Sequence, residues 1–184
     1  MNKPLFLFVG RSASGKTTIA NMLEKDGYTQ ISSYTTRPPR YENEIGHVFI
    51  SDEEYDKLEN IVAFTFYNGY RYCTTLEQIN NADIYVVDPD GVKTLVNNHH
   101  LIDRDIHVVF FEANIINRIN RMIERGDNDT AIVGRLLNDE KDEWLDQLQS
   151  ILFMNRNTFI HVVNTNNDMQ IVYSDVKALI ERLS

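Results

Sequence analysis

Short apolar runs alternate along the chain with segments in which apolar residues recur at helical spacing. This alternation is typical of an α/β fold with a mainly parallel central sheet. The run LFLFV at 5–9 has no polar position, as expected of a central strand covered on both faces. Further strands of the predicted sheet lie at 28–32, 83–87, 106–111 and 161–164. Helices are predicted at 16–25, 91–98, 130–153 and 169–183, and another has Ile116, Ile119, Met122 and Ile123 on one face and stops at Gly126.

The pattern changes between about residues 34 and 82. The alternating runs 61–67 and 70–74 flank Asn68-Gly69, the strongest local signal for a β-hairpin. A short strand is predicted at 47–50, and the following SDEE is a capping box that predicts a short helix. We therefore predict one domain, 1–184, with a core at 1–33 and 83–184 and a small antiparallel insertion at about 34–82.

Composition limits the classes of function. The chain has 184 residues, 27 Asp and Glu against 18 Lys and Arg, and a formal charge of −9. An acidic surface disfavours non-specific binding to nucleic acid or to an anionic membrane. The single cysteine, Cys73, excludes an intrachain disulfide, and no run approaches the ~20 apolar residues of a membrane span. We expect a cytoplasmic protein, monomer or homodimer, with no nucleic-acid or membrane partner.

The segment from Gly10 to Thr17, GRSASGKT, matches the phosphate-loop pattern G-x-x-x-x-G-K-[ST]. Glycines let successive backbone N–H groups face one anion, and the following helix adds the positive end of its dipole. Lys16 is placed to reach the β- and γ-phosphates of ATP, and the Thr17 hydroxyl to ligate Mg²⁺. The predicted ATP-binding residues of this segment are Gly10, Ser12, Ala13, Ser14, Gly15, Lys16, Thr17 and Thr18.

The segment SSYTTRPPR at 32–40 carries two arginines around a double proline. Pro38 and Pro39 fix their own φ angles and hold the preceding residues extended, so Arg37 and Arg40 project from a stiff loop. Two converging guanidinium forks suit a dianion such as a phosphate. From spacing alone, a surface loop with solvated arginines remains an equal interpretation. A phosphate loop in the same small chain favours paired donor and acceptor sites.

The carboxylates Asp88 and Asp90 end the buried run at 83–87. Groups that leave the C-terminal edge of a parallel strand lie in the crevice where α/β proteins bind ligands. A Mg²⁺ shell commonly takes one such carboxylate. A turn before the helix at Gly91 would account for Pro89 and one of the two carboxylates, and position alone does not divide metal and base roles between them. We predict Asp88 as a metal ligand together with Thr17.

These motifs, with NGYRYCT, VVDPDGVK and RMIERGD in the same order, resemble the guanylate kinase family over nearly the whole chain. The resemblance implies a P-loop fold of three layers, an antiparallel insertion that binds the nucleoside monophosphate, and a mobile helical lid at about 121–138. It also implies transfer of a phosphoryl group from ATP to GMP or dGMP with Mg²⁺.

The resemblance also assigns roles by position. Arg37 and Arg40 correspond to the arginines that grip the acceptor phosphate, with Tyr72 beside them. Asn164 falls where the last strand meets the adenine of ATP. The base of the acceptor would contact Ser33, Thr74 and Asp90. The lid arginines correspond to Arg121, Arg125 and Arg135; with Lys16 and Arg37, the latter two are the predicted catalytic residues.

Three positions depart from the family pattern. No tyrosine precedes Phe49 at the expected place, so His47 or no residue makes that phosphate contact. Cys73 replaces a glycine, and we expect it to be packed rather than reactive. The glutamate that accepts hydrogen bonds from guanine falls on Ala63, unless another register brings in Glu59 or Glu77. Two other functions stay open: a kinase of another nucleotide or of a phosphosugar, and a binding module without catalysis.

Overall fold

The computed structural model describes residues 3–39, 42–67, 69–139, 144–153 and 158–184. The strands are β1 (Leu5–Val9), β2 (Ser33–Thr35), β3 (His47–Phe49), β4 (Ile61–Tyr67), β5 (Tyr70–Thr75), β6 (Ile84–Val86), β7 (Ile106–Glu112) and β8 (Thr158–Asn164). The helices are α1 (Lys16–Lys25), α2 (Asp52–Tyr55), α3 (Leu76–Asn80), α4 (Pro89–Asn97), α5 (Ile115–Glu124), α6 (Asp129–Asp139), α7 (Trp144–Phe153) and α8 (Met169–Leu183), with a 3₁₀ turn at His99–Leu101.

The central sheet is parallel throughout, in the order β6-β1-β7-β8. Side chains of β1 alternate between its two faces. Phe6 and Phe8 pack in one core with residues of α1 and α8, and Leu5 and Leu7 pack in the other with residues of α4 and α7. Full burial of each such side chain contributes about 1.5–3 kcal/mol. The result is a layer of helices on each face of the sheet, which confirms the predicted α/β fold class.

A second sheet has the order β3-β2-β5-β4. Strands β4 and β5 form an antiparallel hairpin, β2 pairs antiparallel with β5, and the short β3 runs parallel to β2. The hairpin turn contains Gly69 at φ 82°, a left-handed conformation that glycine adopts without strain. Both halves of the predicted capping box are present at Ser51, and a second one begins α3 at Thr75. Cys73 is buried, as expected of a packed residue.

Two predicted elements are placed differently in the structure. The strand predicted at 28–32 is not continuous: Gln30 makes a single bridge to Ile84, and regular pairing begins only at Ser33. The chain leaves the central sheet there and enters the second one. Within the predicted helix 130–153 the structure describes α6 and α7.

The predicted apolar face of α5 is wrong. Met122 is buried, but Ile116 and Ile123 are mostly exposed, and the other buried side chain of this helix is Arg118. Helical spacing located the helix correctly. The buried face differs because Arg118 forms an ion pair, described below. No helix within the described residues is long and apolar enough to cross a membrane.

Candidate active site

The segment between β1 and α1 forms a tight loop at the C-terminal edge of the central sheet. A side chain on Gly10 would place its Cβ 2.5 Å from the carbonyl oxygen of Phe111, so only glycine fits there. Gly15 has φ 100°, and a Cβ would lie 3.1 Å from Met169 Sδ. No side chain caps the N-terminus of α1 at Gly15. The N–H groups of the first turn are therefore available for an anion.

Lys16 is folded back over this loop. Its Nζ donates to the carbonyl oxygens of Gly10 at 2.6 Å and Arg11 at 2.9 Å. Burial lowers the pKa of Lys16 from 10.5 to about 8, although Asp139 opposes the shift by its negative charge. The ammonium thus lacks a carboxylate hydrogen-bond partner among the described contacts, and an incoming phosphate would supply the missing negative charge.

A cleft of about 430 Å³ opens beside the loop. It is lined by Ala13, Gly15, Lys16, Thr17, Thr18, Arg121, Glu124, Arg125 and Met169. Gly10, Ser12 and Ser14, also predicted to bind ATP, form the rest of the loop. Asn164 lies at the end of β8, where its side-chain oxygen accepts the N–H of Asn166 at 2.9 Å. It is not among the lining residues described for this cleft.

The predicted lid arginines have different partners. Arg121 donates to the carbonyl oxygens of Ala13 and Thr165, which binds α5 directly to the phosphate loop. Arg125 lines the cleft and forms an ion pair with Asp127. Arg135 reaches the same carboxylate from α6, with its Nε 3.4 Å from Asp127 Oδ2. In this arrangement Asp127 holds Arg125 and Arg135 together beside the cleft.

An ion pair that the sequence analysis missed lies behind the loop. Arg118 and Asp139 are 2% and 5% exposed, and they form a salt bridge. Asp139 also accepts the backbone N–H of Ser12 at 2.9 Å and its hydroxyl at 3.1 Å, while Arg118 Nε donates to the Ser12 carbonyl at 2.9 Å. Ser12 therefore directs its polar groups toward this pair. The available signal was the position of Arg118 one helical turn before Met122, on the buried face of α5.

Arg37 is buried, at 7% exposure, but a carboxylate occupies its fork. Its two terminal nitrogens donate to Glu44 at 3.1 and 2.9 Å, and its guanidinium lies 5.3 Å from the ring centroid of Phe49. Hydrogen bonding to Glu44 raises the pKa of Arg37. Arg40, the second predicted phosphate ligand, lies outside the described residues.

A pocket of about 200 Å³ lies between the second sheet and the end of β6. It is lined by Ser33, His47, Thr65, Tyr67, Tyr72, Tyr85, Val86, Val87 and Asp88. Ser33 and Tyr72 were predicted to contact the acceptor. The Ser33 hydroxyl lies 3.0 Å from His47 Nδ1. The other residues predicted for the acceptor lie elsewhere: Thr74 is fully buried in β5, and Asp90 is exposed at the start of α4.

Asp88 faces this pocket, although the sequence analysis assigned it to the metal. It caps α4 by accepting the Gly91 N–H at 2.7 Å, and it accepts the Thr65 hydroxyl at 3.0 Å. Burial raises the pKa of Asp88. Among the described residues it is the single carboxylate that lines the pocket. Ala63 is enclosed in the core, and the alternatives Glu59 and Glu77 are exposed.

The donor set for a metal is sparse. No group of three or more His, Cys, Asp or Glu side chains comes together within the described residues. Thr17 presents its side chain at the cleft beside Lys16. Mg²⁺ commonly keeps several waters and takes phosphate oxygens as ligands, so one hydroxyl beside a triphosphate site fits such an ion.

The loop and the pocket lie side by side. They follow β1 and β6, which are paired strands in register Phe8↔Val86. Consecutive residues at the end of α6 contact both sites: Asn138 Nδ2 lies 3.2 Å from the Tyr67 hydroxyl, and Asp139 binds Ser12. The cation-lined cleft beside the loop and the polar, aromatic pocket therefore lie in one crevice.

Comparison with known proteins agrees with this architecture. No protein-family model matches the sequence, and no curated protein matches it. Among solved structures, the crystal structure of guanylate kinase from Anaplasma phagocytophilum is similar, with a TM-score of 0.55 and 12% sequence identity. The match covers 99% of this chain and 87% of that chain. The chain thus has a guanylate kinase-like fold.

Proposed function

We propose that this protein transfers the γ-phosphoryl group of ATP, bound with Mg²⁺, to a nucleoside monophosphate. The observation that carries the proposal is the contact of Asn138 and Asp139 with both sites. Cα atoms of consecutive residues are only about 3.8 Å apart. A donor phosphate over the loop and an acceptor in the pocket would accordingly meet in one crevice.

The chemistry that the proposal requires is mainly positioning and charge neutralisation. The acceptor phosphate is already an anion, so no side chain has to remove a proton from it. Mg²⁺, held through Thr17 and the phosphates, would neutralise charge on the migrating group. Lys16 and the cleft residues Arg121 and Arg125 would act on the same charge, and lid closure would exclude water.

Arg37 would bind the phosphate of the acceptor. For that, the phosphate must either displace Glu44 from the guanidinium fork or bind the remaining Nε edge, which has no hydrogen-bond partner within the described part of the chain. Tyr72 lines the adjoining pocket, and its hydroxyl would be a second hydrogen-bond donor to the same phosphate.

GMP or dGMP is the acceptor we favour. The guanine ring presents N1–H and the N2 amino group side by side, and a carboxylate accepts from both. Ala63 offers no acceptor, but Asp88 lines the pocket as a carboxylate. Hydrogen bonds to a charged group contribute about 1.5–3 kcal/mol each. Asp88 would therefore support guanine over adenine, whose corresponding edge lacks this pair of donors.

The test measures formation of nucleoside diphosphate by chromatography with ATP, Mg²⁺ and each of GMP, dGMP, AMP, UMP, CMP and dTMP. A reaction without acceptor gives the background of ATP hydrolysis. We expect GMP and dGMP to react fastest. A phosphorylated pentose as a further acceptor tests the phosphosugar alternative. Calorimetric titration with ATP tests the binding-module alternative, which predicts no binding. Absence of transfer to every nucleotide would refute the proposal.

A further inference from the structure

Every polar backbone and side-chain group of Ser12 is held by one buried ion pair. Asp139 accepts from its N–H and its hydroxyl, and Arg118 donates to its carbonyl oxygen. Arg118 and Asp139 come from α5 and α6, and their chain positions are 106 and 127 residues away from Ser12. We call these three residues the Ser12 clamp. No other residue of the phosphate loop is held by a salt bridge within the described part of the chain.

The residue next to the clamp has an unfavourable backbone conformation. Ala13 has φ 59°, a left-handed value that alanine rarely adopts. Such a conformation persists only where surrounding contacts enforce it. Here the preceding residue is held by Arg118 and Asp139, and Arg121 donates to the Ala13 carbonyl from the same helix as Arg118. The strained part of the loop is thus held on both sides.

The clamp also joins the loop to the predicted lid. Asp139 is the last described residue of α6, and the residue before it, Asn138, reaches Tyr67 in the acceptor pocket. The loop, the helices α5 and α6 and the acceptor pocket therefore meet at this point.

We propose that Arg118 and Asp139 are positioning residues that hold the phosphate loop at Ser12 and Ala13 in the conformation that receives the triphosphate. This inference rests on the proposed function, because it concerns the ATP site of the same reaction. The pair acts through the loop and does not touch the nucleotide. It therefore affects ATP binding more than acceptor binding.

A purely electrostatic role makes the opposite prediction for Asp139. At a pH of about 6, where Lys16 with its pKa of about 8 keeps its proton, removing a carboxylate close to a phosphate site would strengthen binding of an anion. If the carboxylate instead positions the loop, its removal weakens ATP binding despite the lost repulsion. The direction of the change separates the two roles.

The main variant is Arg118→Leu/Asp139→Leu, which leaves the net charge unchanged. Replacing a buried ion pair by apolar residues is often neutral or stabilising, so this variant is expected to fold. The matched control is Asp26→Leu/Lys177→Leu, which removes another ion pair, between the C-cap of α1, at the opposite end of that helix from the loop, and α8. Asp139→Asn keeps the shape and an oxygen acceptor and tests rescue within the same site.

The readouts are the melting temperature, the Kd for ATP with Mg²⁺ by calorimetry, and the KM of the acceptor. If the receptive loop conformation falls to about a tenth of the population, the Kd for ATP rises about tenfold. We expect this rise in the Leu pair, with an unchanged acceptor KM and a single cooperative melting transition, a smaller rise in Asp139→Asn, and no change in the control.

A folded Leu pair that binds ATP as tightly as the wild type would overturn the positioning role, as would tighter binding by Asp139→Asn. Both results leave the proposed function intact, because the wild type still binds ATP and transfers phosphate. A wild-type protein that binds no ATP would instead refute the proposed function, and the role of the clamp with it. Should the Leu pair not fold, Asp139→Asn decides by the direction of its change.

Discussion

The lysine of the phosphate loop shows how burial prepares a single side chain for its ligand. Among the described residues, Lys16 Nζ donates to oxygen atoms of the loop alone: the carbonyls of Gly10 at 2.6 Å and Arg11 at 2.9 Å, and the hydroxyl of Ser14 at 3.4 Å. Carbonyl dipoles stabilise an ammonium less than a carboxylate does, so burial dominates and lowers the pKa of Lys16 to about 8. A buried ammonium without a carboxylate partner is strongly stabilised when a phosphate binds beside it.

This pKa predicts a pH dependence of ATP binding. In the free protein Lys16 loses its proton above about pH 8. A bound triphosphate would restore the charge. ATP binding should take up close to one proton at about pH 9 and little at about pH 7, and its association constant should fall by up to tenfold per pH unit above about pH 8. Calorimetry in buffers of different ionisation enthalpy measures the uptake; none at the higher pH would contradict the assignment.

Arg37 illustrates the opposite case, in which a cation is already neutralised. Its fork pairs with Glu44, and both side chains are less than 10% exposed. Replacing Arg37 alone by Ala removes the guanidinium that pairs with both carboxylate oxygens of buried Glu44, at a cost of about 3–5 kcal/mol in the free energy of unfolding. A kinetic test with that variant would confuse stability with binding.

The double variant Arg37→Met/Glu44→Met separates these effects. It removes both buried charges, so we expect a free energy of unfolding within about 1.5 kcal/mol of the wild type. The acceptor KM should rise at least about 10-fold, because one or two charge-assisted hydrogen bonds to phosphate are lost. Steady-state kinetics with varied GMP at saturating ATP measures it, and thermal unfolding provides the control. An unchanged KM would remove Arg37 from the acceptor site.

At the scale of the element, the start of α4 connects helix stability with the proposed recognition of the base. Asp88 is its N-cap, accepting the Gly91 N–H at 2.7 Å, and Pro89 follows in the first turn. The same carboxylate lines the acceptor pocket and accepts the Thr65 hydroxyl at 3.0 Å. One residue thus begins the helix and supplies the negative charge in the pocket.

The variant Asp88→Asn separates the two roles, because asparagine caps a helix about as well as aspartate. We expect a change of less than about 1 kcal/mol in the free energy of unfolding. The kcat/KM for GMP should fall about 10- to 100-fold, because an amide replaces the charged acceptor. Asp83→Asn, which alters a carboxylate bound to the Thr29 N–H, is the control. Equal loss for GMP and AMP would exclude a role in choosing the base.

At the scale of the whole molecule, the phosphate loop and the acceptor pocket are connected by elements that contact both. Strands β1 and β6 pair directly, and each leads into one site at its C-terminal end. The end of α6 contacts both sites through Asn138 and Asp139. Ligand binding at the crevice outside the carboxyl ends of parallel strands is the general rule for α/β sheets.

This arrangement predicts tight binding of a ligand that spans both sites. A dinucleoside polyphosphate that joins adenosine to guanosine should bind at least about 100-fold more tightly than ATP, because its second half binds intramolecularly. Added at about 100 times its Kd, it should stabilise the fold by about 2.7 kcal/mol. Calorimetry and thermal unfolding measure both effects. The diadenosine compound is the control, and a spanning ligand that binds no better than ATP would place the sites apart.

Local patterns accounted for much of this protein. The bounds of β1, β4, α1 and α8 follow from apolar periodicity, and the capping box at Ser51 follows from the identity of four neighbouring residues. The phosphate loop was recognisable for the same reason, since its glycines and Lys16 lie within eight positions of the sequence. Each of these features depends on the backbone and its nearest neighbours along the chain.

Contacts between segments that are far apart in the chain could not be predicted from local sequence patterns. Periodicity predicted Ile116 and Ile123 on the packed face of α5, but Arg118 is buried there because Asp139 and Ser12 satisfy it. Glu44 on Arg37 and Asp88 in the acceptor pocket depend likewise on where separate elements meet. A buried charge is stable only beside its partners, and partners far apart in the chain are set by the packing of the sheet and helices.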